Sequence, residues 1–161
     1  MMVICFHNPD EENGYLSNWY SSRFTISGVQ FSSMEQYMMY MKAKCFHDNE
    51  AASEIVKTDD VAVIKAIGRR VREYNEVVWN GVRQIAVYEG LIAKFSQNPD
   101  IQEALLSTND SILAECAVKD RIWGIGLSMN DPDRLDVAKW RGDNLLGFAL
   151  TMVRDKLKGN R

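Results

Sequence analysis

At Ser33 the hydrophobic period of the chain changes, and this switch constrains the fold more than any other feature. Before it, apolar residues come in short runs suited to strands. These are Val3 to Phe6, then Phe24-Thr25-Ile26 and Val29-Gln30-Phe31 on either side of Ser27-Gly28, a dipeptide suited to a hairpin turn. After it, Met34, Tyr37, Met38, Met41 and Cys45 recur at spacings of three and four, the period of one helical face. A small antiparallel sheet followed by helices is therefore expected.

Further helices follow in the pattern. One lies near Glu50 to Lys57, and another opens at Thr58-Asp59-Asp60 and carries Val61, Ile64 and Ile67 until Gly68. The longest runs from Glu76 to Ser96, with Val78, Val82, Ile85, Ile92 and Phe95 as its apolar stripe, broken at Glu89. It contains Gly81 and Gly90, each costing about 1 kcal/mol against alanine in a helix; either a neighbour packs unusually close or the helix is interrupted. Asn98-Pro99 starts a helix bearing Ile101, Leu105 and Leu106, and Ser111 to Cys116 suits a short strand. Lys119 to Gly142 is the longest irregular stretch, after which Asn144 caps a final helix with Leu145, Ala149, Met152, Val153 and Leu157. With 161 residues, no repeat and no Pro- or Ser-rich linker, one domain over 1–161 is expected. Its class is α+β and predominantly helical, one layer of helices around a minor sheet with a hairpin near the N-terminus.

Charge narrows the function classes. The net charge of -3 argues against a protein that grips nucleic acid mainly by neutralising phosphates, which needs a basic face, and leaves room for a local basic pocket. No apolar run approaches the roughly 18 residues of a membrane helix. The N-terminal segment meets Asp10, Glu11 and Glu12 with no basic leader, so a cytoplasmic protein without membrane contact is expected. Three widely spaced cysteines and two histidines support neither a disulfide framework nor a metal site.

Several residues could carry chemistry. Trp123 and Trp140 fall in the irregular stretch, where aromatic surface is uncommon, and Asp120 precedes Trp123-Gly124-Ile125-Gly126. The glycines would let backbone approach a ligand; a loop pinned to the core by its tryptophan is the equal alternative. Ser32-Ser33-Met34-Glu35 fits the capping box, in which Glu35 only closes its own helix. Against that, Glu35 and Lys42 are seven apart on one helix face, and a carboxylate beside an amine in a cleft suits proton transfer or imine chemistry. Trp79 and Arg83 share a face with Ala86 and Gly90, whose small size leaves room for a flat ring; helix packing would use the same room. Lys65, Arg69, Arg70 and Arg72 form the basic cluster, more in keeping with a solvated helix end than a phosphate site.

Taken in order, these segments resemble the NADAR (YbiA-like) N-glycosidase family. The matching pieces are Leu16-Ser17-Asn18-Trp19, Phe24 with Gly28 and Phe31, Met34-Glu35-Gln36-Tyr37, Lys42-Ala43 and Phe46, Gly68-Arg69, Trp79 with Arg83, and Lys94-Phe95. They continue with Glu115, Asp120 with Trp123-Gly124, and Trp140-x-Gly142-x-Asn144-x-x-Gly147. No piece is specific alone; the ordered set is.

The resemblance implies hydrolysis of the bond between ribose C1 and an exocyclic amine of a guanine-like ring, without a cofactor. The implied substrates are ADP-ribosylated guanine in a nucleotide or nucleic acid, slightly favoured, and ribosylamino-pyrimidinone phosphates of riboflavin biosynthesis. Functional pairing with an ADP-ribosyltransferase toxin belongs to the same picture. Cleavage builds positive charge on the ribose, so a carboxylate stabilises it or activates water while an acid protonates the leaving amine. Glu35 and Asp120 are the carboxylates, with roles undivided, and Lys42 is the amine for a Schiff-base route. Asn18, Arg69, Trp79, Arg83, Trp123, Gly124 and Asn144 are expected to bind substrate, the arginines at phosphate, and Glu115 to support. Two rivals are a non-catalytic module that binds ADP-ribose or a nucleotide, and a thiol hydrolase using Cys45 and His47, whose side chains diverge on the helix.

Overall fold

Ser27 and Gly28 both have positive φ, 51° and 79°, the combination a two-residue hairpin requires and glycine tolerates. They join β2 (Phe24–Ile26) to β3 (Val29–Phe31) as an antiparallel pair in which Phe24 faces Phe31. A computed structural model describes residues 1–160. It divides into two compact units, Ser21–Asn98 and a second formed by Met1–Tyr20 with Pro99–Arg161.

In the Ser21–Asn98 unit, α1 (Met34–Cys45) packs against α2 (Asn49–Ile55), α3 (Val61–Arg69) and α4 (Glu76–Ser96). Each of the four begins with a polar side chain closing an open backbone N–H. Ser33 accepts from Gln36, Asp48 from Ala51, Asp60 from Ala62, and Asn75 from Val78. The hairpin lays Phe24 and Phe31 on Tyr37 of α1, with Phe31 and Tyr37 edge-on at 5.0 Å between ring centres.

The helix α4 has the expected bounds and buries only part of the expected stripe. Trp79, Ala86, Val87, Gly90, Leu91 and Phe95 are enclosed, whereas Val78 and Ile85 of the expected stripe are 47% and 64% exposed. The cause is the small residues. A Cβ on Gly90 would lie 2.7 Å from Cδ2 of Tyr37 and 2.8 Å from Sδ of Met34, so the glycine lets α4 close onto α1. Close backbone approach multiplies dispersion contacts along this face, which also carries Trp79, Leu91 and Phe95.

The second unit corrects the expected sheet. β1 (Val3–Phe6) does not join the hairpin; it pairs in parallel with β4 (Ile112–Glu115), Val3 opposite Ile112 and Phe6 opposite Glu115. A parallel pair needs a long crossover, and the chain between the strands supplies it. α6 (Leu145–Lys158) packs on β4 and on α5 (Pro99–Leu106). Cys5, Ala114, Cys116, Ile125 and Leu127 form an apolar core there, with the Cys5 and Cys116 thiols in hydrogen-bonding reach of one another. Among the described residues no helix is long and apolar enough to cross a membrane.

Candidate active site

The start of α1 decides the standing of Glu35. The cap is Ser33, not Ser32, and its reciprocal partner is Gln36. The Gln36 amide oxygen accepts from the Ser32 N–H at 2.7 Å, and its nitrogen donates to the carbonyls of Ile55 and Thr58 at 3.0 and 2.8 Å. Gln36 thus ties the Ser32–Ser33 segment to the start of α1 one residue later than the expected box. Glu35 is only 6% exposed.

Glu35 is electrostatically coupled to Lys42, and Arg83 of α4 joins them. The Lys42 amine is held below the ordinary lysine range, first by burial, then by the Arg83 charge, with Glu35 pulling the other way. Burial and Arg83 favour the neutral amine, while the Glu35 carboxylate favours the charged one. The Lys42 Nζ also stands 4.4 Å from the centre of the Tyr74 ring.

The aromatic residues expected to grip a ring are packed rather than open. Trp79 is 3% exposed, and Tyr37 and Met34 occupy the room left by Gly90. Arg69 is exposed at the end of α3.

In the other unit, Glu115, Asp120, Trp123, Gly124 and Asn144 form one local structure, and Asn18 lies half-buried after a short turn at Gly14–Leu16. Asp120 Oδ1 accepts from the N–H groups of Ile122 and Trp123 at 3.0 and 2.8 Å, folding the loop over. Trp123 is 7% exposed. A Cβ on Gly124 would meet Cβ of Ala117 at 2.8 Å and the Asp120 carbonyl at 2.9 Å. The glycine therefore lets the loop pack closely on itself. Trp140 donates to the Arg134 carbonyl at 2.8 Å and pins the same stretch.

Asn144 is likewise a brace. It is fully buried in the left-handed region (φ 55°), its Oδ1 accepting from the Glu115 N–H at 3.0 Å and its Nδ2 donating to the Leu113 carbonyl at 2.8 Å. Both its amide atoms are engaged at β4, and one of them holds the Glu115 backbone. The Glu115 carboxyl is pushed up by burial, lowered by His7 and raised again by Asp120. His7 Nδ1 lies 2.9 Å from Glu115 Oε1, and that bond raises the histidine. Sequence reasoning missed His7 in this role, because only the parallel register of β1 and β4 brings residues 108 positions apart together. It also missed Tyr74, for which no pattern in the chain is a signal. Among the described residues no group of three or more His, Cys, Asp and Glu side chains could hold a metal.

A family profile described as the NADAR domain matches residues 5–158. The chain belongs to the NADAR family. The match runs through both compact units. N-glycosidase R617 of Acanthamoeba polyphaga mimivirus is 35% identical over 161 residues, 95% of each chain. The riboflavin biosynthesis protein VVA0006 of Vibrio vulnificus (strain YJ016) is 30% identical over 155 residues, 96% of this chain and 38% of that protein. The solution NMR structure of Escherichia coli YbiA shares the NADAR fold with a TM-score of 0.80 at 25% identity, covering 98% of this chain and 86% of that one.

Proposed function

We propose that this NADAR protein is an N-glycosidase that hydrolyses the bond between ribose C1 and the exocyclic amine of a guanine-like ring. Removal of ADP-ribose from guanine in nucleic acid is the favoured reaction, and ribosylamino-pyrimidinone phosphates are the second substrate class. The observation that carries this reading is the grouping of Glu35, Lys42 and Arg83, with the Lys42 amine lowered by burial. A binding module has no use for an amine prepared in this way. Relatives named N-glycosidases support the bond class, and one named for riboflavin biosynthesis supports the second substrate.

An N-ribosylamine opens to an imine at C1. The neutral Lys42 amine adds to that carbon, the purine amine leaves with a proton, and a Schiff base joins ribose to Lys42; water then adds to C1 and releases the sugar and the lysine. Glu35 moves the protons of these steps, and its charge favours the cationic iminium. Arg83 lowers the lysine and offers a fork for phosphate. Asp120, whose Oδ1 holds its own loop, is the further carboxylate that the family resemblance proposes.

The test is incubation of the protein with an ADP-ribosylated guanine oligonucleotide and, separately, with the ribosylamino-pyrimidinone phosphate, followed by mass measurement. Free ADP-ribose and an unmodified oligonucleotide are expected in the first. Binding of both compounds with turnover of neither would leave the binding module as the correct reading.

A further inference from the structure

Tyr74 is an exposed aromatic residue with no part in the core. It is 47% exposed, on the connection between α3 and α4, and its ring faces the Lys42 Nζ at 4.4 Å. Phe46, which ends α1, meets it edge-on with 5.6 Å between ring centres. An isolated tyrosine on a loop would swing freely; this one is held from both sides. Glu73 before it has a left-handed backbone (φ 58°), and Asn75 after it caps α4. Two residues earlier, Arg72 is clamped to Asp48 by its backbone N–H and its guanidinium, both at 3.0 Å. The Arg72 backbone bond, with the guanidinium and the Ala51 N–H, holds the Asp48 carboxyl down to about 2. The clamp is therefore charged at every working pH.

We infer that Tyr74 is the stacking platform for the flat ring of the substrate, and that the ring, by taking the tyrosine face from Lys42, ties substrate entry to loss of the lysine proton. The inference rests on the proposed N-glycosidase reading and names its specificity element. A tyrosine face attracts an ammonium and not a neutral amine. While no base is bound the ring favours the charged lysine; when a base stacks on it, that support goes, and burial with Arg83 shifts the amine toward its neutral form. The charged groups acting on Lys42 are Glu35 of its own helix and Arg83 of α4, and neither is displaced by a ring stacking on Tyr74. Stacking is also tolerant of ring type, which suits a site for both a purine and a pyrimidinone. Trp79 and Trp123, both nearly enclosed, offer no such face.

The experiment compares wild type, Tyr74→Leu and Tyr74→Phe in two measurements. In steady-state hydrolysis of ADP-ribosylated guanosine, Tyr74→Leu should raise KM about tenfold. It should also move the rising limb of kcat/KM to lower pH, because the free enzyme then lacks the ring that favours charged Lys42. Tyr74→Phe, which keeps the ring, should restore both. In calorimetric titration with guanosine monophosphate, which requires no turnover, Tyr74→Leu should bind about tenfold more weakly than wild type and Tyr74→Phe. Equal KM, equal pH limb and equal guanosine monophosphate affinity in wild type and Tyr74→Leu would overturn the inference, as would losses in Tyr74→Leu that Tyr74→Phe shares. A wild type that binds guanosine monophosphate through Tyr74 yet hydrolyses nothing would contradict the N-glycosidase reading and leave the platform standing.

Discussion

Glu35 and Gln36 are neighbours with opposite duties, and single substitutions separate them. Gln36 makes its bonds to the backbone of Ser32, Ile55 and Thr58 while almost wholly buried. Gln36→Ala should cost about 1–3 kcal/mol of unfolding free energy, the penalty of leaving such groups without partners. Glu35→Gln should lower kcat at least about a hundredfold with a far smaller change in Tm, because Ser33 and Gln36 close the helix without it. Asp120→Asn keeps the Oδ1 acceptor for Ile122 and Trp123, so a fall in kcat with Tm unchanged marks the lost charge as catalytic. Wild-type rates in Glu35→Gln would remove that residue from the mechanism. The sequence pattern S-x-x-E pointed to Glu35 as the cap; the equally available S-x-x-Q one residue on is the box that forms. Motif spacing could not choose between them, since the choice turns on which serine takes the extended backbone.

At the level of the elements, α4 shows what periodicity does and does not reveal. Its bounds were legible from the apolar run, yet its buried face was only partly so, because two faces carry apolar residues and the one with Gly90 admits α1. The two glycines test this account. Nothing lies within 4 Å of a Cβ built on Gly81, whereas one on Gly90 meets Tyr37 and Met34. Gly81→Ala should therefore stabilise the protein by up to about 1 kcal/mol, and Gly90→Ala should destabilise it despite the same gain in helix propensity. Calorimetric melting of the two variants measures the difference, and equal stabilisation would contradict the close approach. The hairpin was legible because Ser27-Gly28 states its own turn; the partner of β1 was not, since parallel pairing leaves no local mark.

Across the whole molecule, the α+β class, the helix order and the family were readable from an ordered set of weak motifs. The placement of functional groups was only partly so. Lys94, a matched residue, is fully buried with its amine lowered by desolvation to about 7, and nothing in its spacing announces that. Asn144 and Gly124 match the family pattern through roles in bracing the chain, which a motif cannot distinguish from contact with substrate. The net charge of -3 argues against a broad phosphate-neutralising face and is compatible with the proposed recognition of a single adduct. The central claim concerns the bond proposed to form at Lys42. Treating the protein and Lys42→Ala with borohydride during turnover of ADP-ribosylated guanine, then measuring intact mass and mapping the modified peptide, tests it directly. A reduced sugar adduct on Lys42, absent from Lys42→Ala, is predicted; hydrolysis by Lys42→Ala at the wild-type rate with no adduct on either protein would contradict it.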